Sequence, residues 1–359
     1  MKFTSQFKLA NLNKLKKYLR EIDKNKYYSN FGPLYEKTRS IIKKRLNFKD
    51  NDVILTSSGH SSLLAITKYL KTKTKKKYAL CPSFSFYSNP LSIIDSGFKP
   101  YFVDIHHDNL TIDFNKVEKI LNKRSDIAFL MVVSPFGLPI NLNFLNKLQK
   151  KIKLPIIYDA ADTFLNLEKN IKNKILIACS FHPTKTLGAN ESGVVICPNF
   201  ISSNIKKIIN FGIENAKSTS NMVGFNGKFS EYDAAIFLAN YNDIRKKNLK
   251  NNILIKEFKI QLSKKFKILN PDNTKMNKII FYSNINFNKI TKTLKNFNVQ
   301  ARKFWSSNPM HKINIFKKYP KTSMKNTNKS SKNYFGIFIN EDLNKNKIKK
   351  ISEKLLKIK

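Results

Sequence analysis

Between about residues 50 and 200 the chain alternates short, almost wholly apolar runs with longer amphipathic stretches. The apolar runs fall at residues 53–55, 78–81, 100–105, 127–133, 154–160, 174–180 and 193–198, and helical spacing falls near 61–70, 88–94, 115–121 and 142–152. A strand that is apolar at every position must be covered on both faces, and amphipathic crossovers between such strands build a mostly parallel sheet with helices over it. This predicts an α/β chain whose ligands lie beyond the carboxyl ends of the strands. The polar residues that follow each apolar run are therefore the ones to inspect.

Past residue 200 the texture changes. Residues 230–262 read as one long helix or two, 279–285 as a strand, 288–297 as a helix, 334–339 as a strand and 342–358 as a final helix, with the Lys/Asn/Ser-rich stretch 317–333 as a loop. These form a smaller α+β domain, which places the division at 1–240 for an N-terminal arm and large domain and 241–359 for the long helix and small domain. No internal repeat is evident.

Composition sets limits on partners. The 359 residues carry 67 Lys+Arg against 24 Asp+Glu, a formal charge of +43. Such an excess can attract nucleic acid or an anionic membrane. Here lysine is scattered through nearly every segment, which reads as a solvated surface rather than a binding face. No specific nucleic-acid partner and no membrane insertion are expected: no apolar run reaches 18 residues, and the N-terminus lacks the apolar stretch of a signal peptide. Three widely separated cysteines, Cys81, Cys179 and Cys197, suit neither a zinc site nor a disulfide framework. A cytoplasmic protein without a metal is the expectation.

Four groups of residues follow the strands. After VILT comes Ser57-Ser58-Gly59-His60-Ser61-Ser62, a turn opening a helix; it offers N–H groups and hydroxyls to a phosphate, or is an ordinary helix cap. After YALCP comes Phe86, either a stacking face for a flat ligand or a core aromatic. After LPIIY comes Asp159, then Asp162; the first can hold a cationic ring nitrogen or a metal, or cap a helix. After ILIAC come Ser180, His182 and Lys185. A lysine near any site is cheap in this chain, and His182 reads as a packed histidine. Together, a phosphate turn, an aromatic face, a carboxylate for a pyridine nitrogen and a lysine for a Schiff base are what pyridoxal 5'-phosphate requires.

At this point the chain resembles the DegT/StrS family of pyridoxal-phosphate-dependent sugar aminotransferases, of fold-type I architecture, from about Tyr27 to the C-terminus. The resemblance rests on YYSNFGPLYEKTRSII, SSGHSSLLAI, LCPSFSFYSNPLSIIDSGFKPYFVDI, IIYDAAD, SFHPTKTLGANESGVVI, GFNGKFSEYDAAI and FWSSNPMH, in the family's order. It implies Lys185 as the Schiff-base lysine and catalytic base, Asp159 as the partner of the pyridine nitrogen and Phe86 as the stacking aromatic. Gly59, His60 and Ser180 match phosphate positions. Asn226 matches an asparagine that reaches the neighbouring subunit's cofactor, which implies a homodimer with shared sites. Trp305 and His311 fall in the substrate-side motif.

Two departures from the family pattern stand out. His60 replaces a Thr or Ser, with Ser61 as a possible substitute hydroxyl. Asp162 replaces a Gln or His near the cofactor's phenolic oxygen, where a carboxylate must be protonated, turned away or paired. The implied reaction is transfer of an amino group, from glutamate in most relatives, to a nucleotide-linked keto sugar for surface-polysaccharide or amino-sugar biosynthesis. The alternatives are a deoxysugar dehydratase of the same family and a non-catalytic homologue that binds nucleic acid.

Overall fold

The structure is a computed structural model and describes residues 10–170, 173–214, 220, 222–303, 305, 308–340 and 342–358. Two helices, α1 (Leu12–Asn25) and α2 (Pro33–Leu46), lead into the sheet region. There β1 (Asn51–Thr56), α3 (Gly59–Lys71), β2 (Tyr78–Pro82), α4 (Ser88–Asp95), β3 (Lys99–Val103), α5 (Phe114–Leu121), β4 (Ile127–Val133), α6 (Leu142–Ile152) and β5 (Ile156–Asp159) follow in turn. Next come β6 (Leu176–Ser180), β7 (Gly193–Pro198), α7 (Asn199–Ile209), α8 (Glu231–Tyr241) and α9 (Ile244–Leu262). The chain closes with β8 (Lys267–Ile268), β9 (Lys278–Tyr282), α10 (Phe287–Lys295), β10 (Ala301–Arg302), α11 (Lys325–Asn333), β11 (Tyr334–Phe338) and α12 (Lys345–Leu356).

The large sheet runs β1-β7-β6-β5-β4-β2-β3. Its strands are parallel from β3 through β6; only β7 runs against both its neighbours. Successive residues of one strand feed opposite layers. In β1, Val53 and Leu55 join the core beneath α2 and α8, while Ile54 joins the core beneath α3 and α7. That two-sided burial is why the strands read as unbroken apolar runs. The second sheet is four-stranded and antiparallel, β10-β11-β9-β8, with α9, α10 and α12 on its core. The mostly parallel large sheet and the smaller α+β unit expected from the sequence are both present.

Glycine is scarce, and the chain turns its helix ends with other residues. Lys26, Asn47 and Lys153 hold the left-handed cap positions after α1, α2 and α6, at a cost of about 1 kcal/mol each relative to glycine. Helix starts are conventional, with side-chain caps from Asn11, Ser58, Asp113, Asn141, Ser230, Asn286 and Asn344. The start of α2 is capped from afar: the buried Glu231 carboxylate accepts the amides of Leu34 at 2.7 Å and Tyr35 at 2.8 Å.

The segment expected to be a loop at 317–333 is different. Residues 325–333 form α11, and Phe102 at the sheet edge bridges to Lys321. The sequence KNTNKSSKN has no apolar stripe to announce a helix. What starts it is Asp104, fully buried, whose oxygens accept the amides of Asn326 (3.1 Å) and Thr327 (2.7 Å) while Lys116 Nζ donates at 2.9 Å.

Candidate active site

A cavity of about 650 Å³ opens where the carboxyl ends of β1, β4, β5 and β6 meet the small sheet. Its lining includes Gly59, His60, Phe86, Asp159, Asp162, Ser180, Lys185 and Trp305. Eight of the eleven residues singled out from the sequence thus face one space.

On one side lies the start of α3. Ser58 Oγ accepts the amide of Ser61 at 3.0 Å, and the hydroxyls of Ser57 and Ser61 pair at 2.9 Å. Helix geometry leaves the amides of Gly59 and His60 without intrahelical acceptors at the positive end of the helix dipole. Gly59 is required here: a Cβ on it would stand 2.6 Å from the Cβ of Ser180. The turn and the end of β6 therefore approach closely enough to form one cradle for an anion. Ser61 does not line the cavity; its hydroxyl is engaged with Ser57 and Ser58. The imidazole of His60 is half-buried, and burial lowers its pKa.

The floor is Asp159, at the last position of β5. Its carboxylate accepts Asn89 Nδ2 at 2.7 Å and the amide of Ala161 at 3.0 Å. Burial raises its pKa, opposed by the Asn89 hydrogen bond, the charge of Lys185 and the Ala161 amide. Among the described residues it makes no ion pair. The other buried carboxylates are compensated: Asp52 by Arg39 at 2.5 Å, Asp104 by Lys116, Asp162 by Lys278, and Glu231 by the helix amides. Asp159 and Glu231 both lack a paired cation, but Glu231 is spent on capping α2 whereas Asp159 faces the cavity, where a cationic group of a ligand can reach it. Asp159 together with the α3 cradle fits pyridoxal phosphate.

Lys185 sits in the loop between β6 and β7. Its amide bonds to the carbonyl of His182 at 2.8 Å, and Gly188 turns the loop back at φ +49°. Half-exposed Phe86 offers a ring face at the cavity. Trp305 lies stacked on Phe136, with centroids 5.1 Å apart, and edge-on to Phe84.

Besides Ser61, two expected residues are elsewhere. His311 is buried outside the cavity lining, with Nδ1 2.6 Å from Ser83 Oγ and its amide donating to the same oxygen at 3.0 Å. In this chain it pins the segment after residue 309 to the end of β2. Asn226 is exposed, bridged to Asn210, and lies outside the cavity lining of its own chain. Three neighbours of Trp305 in the FWSSNPMH motif, residues 304, 306 and 307, lie outside the described residues.

Sequence reasoning missed several lining residues, namely Lys278, Arg302, Lys303, Phe136 and Phe338. His182, which the sequence presents as a packed histidine, lines the cavity, with Nδ1 2.8 Å from Thr184 Oγ1 and Nε2 3.1 Å from Glu191; burial lowers its pKa against the pull of Glu191. For Asp162, paired is the outcome. Lys278, from β9 of the small sheet, bonds to it directly, and both groups are buried. Nothing local marks Lys278 in so lysine-rich a chain.

The profile of the DegT/DnrJ/EryC1/StrS aminotransferase family matches residues 11–356. A dTDP-4-amino-4,6-dideoxy-D-glucose transaminase from Shigella dysenteriae is 28% identical over 242 residues, covering 66% of this chain and 63% of that protein. A 3-oxo-glucose-6-phosphate:glutamate aminotransferase from Bacillus subtilis is 25% identical over 238 residues, covering 65% and 52%. The chain thus spans under two thirds of the length of either relative. Among solved structures, a putative PLP-dependent aminotransferase from Bacillus cereus superposes with a TM-score of 0.89 at 26% identity, covering 98% of both chains.

Proposed function

The chain belongs to the DegT/DnrJ/EryC1/StrS aminotransferase family, and on that premise we propose that it is a pyridoxal-phosphate-dependent transaminase that moves an amino group from glutamate to a nucleotide-linked keto sugar. The observation that carries this reading is the convergence of Asp159, which makes no ion pair among the described residues, Lys185 and the Gly59 cradle on one cavity.

When bound, pyridoxal phosphate supplies the carbonyl that captures an amine and a ring that accepts the electron pair released at the carbon bearing it. The remaining work falls to this chain's side chains. The amides of Gly59 and His60 and the Ser180 hydroxyl bind the phosphate. Asp159 keeps a ring nitrogen protonated, and in doing so gains the counter-charge its buried carboxylate lacks. Phe86 covers a ring face and excludes water. Lys185 Nζ holds the cofactor between turnovers and, when released, is the base that carries the proton. Arg302 and Lys303 place positive charge at the cavity lining for the phosphates of the acceptor. The Shigella relative's name supports a nucleotide-linked acceptor, and the Bacillus subtilis relative's supports glutamate as donor.

We further propose a homodimer. Exposed Asn226 lies outside its own cavity lining, beside exposed Phe211 and Val223. The role that the family resemblance implies for it, reaching the neighbouring subunit's cofactor, suits this placement. Mixing Lys185→Ala with Asn226→Ala chains tests this. A mixed dimer has one site with neither defect and should regain up to about half of the wild-type activity; no recovery after demonstrated subunit exchange would refute the shared site. No helix among the described residues is long and apolar enough to cross a membrane.

The acceptor is tested by assaying dTDP- and UDP-linked keto sugars with glutamate, alongside an oxo-sugar phosphate. Turnover of the nucleotide-linked compounds is expected. Turnover confined to the free sugar phosphate would overturn the acceptor assignment, and a protein that takes up no cofactor would overturn the function.

A further inference from the structure

Lys278 and its neighbour Asn277 stand at the start of β9, in the small sheet, yet their side chains bond into the loop that carries Lys185. Asn277 Nδ2 donates to the carbonyl of Thr184 at 2.9 Å. The amide of Thr186 donates to Asp162 Oδ1 at 2.6 Å. Lys278 Nζ bonds the other oxygen of Asp162 and also donates to Asn277 Oδ1 at 2.9 Å. These four bonds form a closed ring: Thr184, Asn277, Lys278, Asp162, Thr186. The residue enclosed by the two peptide ends of that ring is Lys185. Asn277 and Lys278 are almost wholly buried.

We propose that Asn277 and Lys278 are positioning residues that hold the peptide groups on either side of Lys185, with Lys278 keeping Asp162 a compensated carboxylate, so that the small domain sets the place of the cofactor lysine. The inference rests on the assignment of Lys185 as that lysine.

First, a hydrogen bond from an amide to a carboxylate is stronger than one to a neutral acceptor, so an ionised Asp162 grips the Thr186 amide best. That ionisation inside the protein is tolerable only with Lys278 beside it. Second, burial lowers the pKa of Lys278, with the charge of Asp162 and its hydrogen bond pulling back and Lys185 pushing further down. Lys278 therefore stands close enough to Lys185 for their charges to interact, and Asp162 compensates this second buried cation. Third, the arrangement is interdependent. Removing Lys278 alone strands a buried carboxylate, whereas removing both charges leaves a neutral amide whose oxygen still accepts the Thr186 N–H.

The test compares wild type, Lys278→Met, Asp162→Asn and the double variant. Two readouts are used: pyridoxal phosphate affinity by titrating visible absorbance, and hydrogen exchange of residues 184–186 in the cofactor-free protein. Lys278→Met is expected to weaken cofactor binding at least tenfold and to speed exchange of the Thr186 amide. The double variant is expected to recover affinity to within threefold of wild type and to restore protection. Should Lys278→Met fail to fold, a folded, cofactor-binding double variant supports the proposal and an unfolded one refutes it. Wild-type affinity and protection in Lys278→Met, or a double variant no better than the single, would also overturn it. A wild-type protein that binds no pyridoxal phosphate would instead defeat the functional assignment, and the exchange comparison would still decide whether the ring holds the loop.

Discussion

Asp159 and Asp162 lie three residues apart, both buried, both lining the same cavity. Their surroundings differ. Asp159 belongs to the floor made by the large sheet, and among the described residues its hydrogen-bond donors are an amide side chain and a backbone N–H. Asp162 meets the wall contributed by the small sheet, where Lys278 compensates it. A compensated carboxylate is a structural fastener. An uncompensated one costs stability until something cationic arrives. The difference separates the group that serves a ligand from the group that serves the fold, although the sequence presents both as acids after one strand.

The largest effect belongs to Lys185→Ala. With the amine gone we expect transamination to fall by at least about 10³-fold, while the circular dichroism and size of the protein stay unchanged. Retained turnover would remove Lys185 from its role.

Asp159→Asn comes next and probes the contrast directly. Activity should drop by roughly 10²–10³-fold, because a neutral amide cannot keep a ring nitrogen protonated. The cofactor-free variant should also become more stable than the wild type at neutral pH. The sign follows from the raised pKa of Asp159. The folded state binds the proton more tightly than the unfolded one, so stability is lost as pH rises from the unfolded value through the folded one. Melting scans of both cofactor-free proteins from pH 4 to 8 should show the gap widening with pH. A variant less stable than wild type at neutrality would mean that Asp159 is already compensated.

A smaller change is expected of Asn89→Ala. It removes the only side-chain donor to Asp159 among the described residues, and cofactor affinity should fall about tenfold. An unchanged affinity would show that the Ala161 amide alone orients the carboxylate. The smallest effect should be that of His311→Gln. Its ring is tied to Ser83 outside the cavity lining, so the acceptor KM should stay within about twofold of wild type; a tenfold rise would restore it to the substrate side.

The two regions also differ in how much of them the sequence disclosed. The floor was legible because strand ends are local facts. An apolar run that stops at Asp159 or Ser180 announces both the strand and the residue beyond it, and β4 falls at Ile127–Val133 as the pattern indicates. The wall was not. Strands β8 and β10 are two residues each and show no period. Helix α11 is started by Asp104, more than two hundred residues upstream. Lys278 is one lysine among many until the fold carries it to Asp162. Asn226 and Trp305 entered only through the family resemblance, since no local pattern marks them.

The most direct test of the central claim is to load the protein with pyridoxal phosphate, reduce it with borohydride and map the modified peptide by mass spectrometry. Two buried or loop lysines, Lys185 and Lys278, line the cavity along with Lys303. A phosphopyridoxyl group is expected on Lys185 and none on Lys278, whose amine is engaged by Asp162. Modification of Lys278 or Lys303 in place of Lys185, or no stable adduct at all, would contradict that claim.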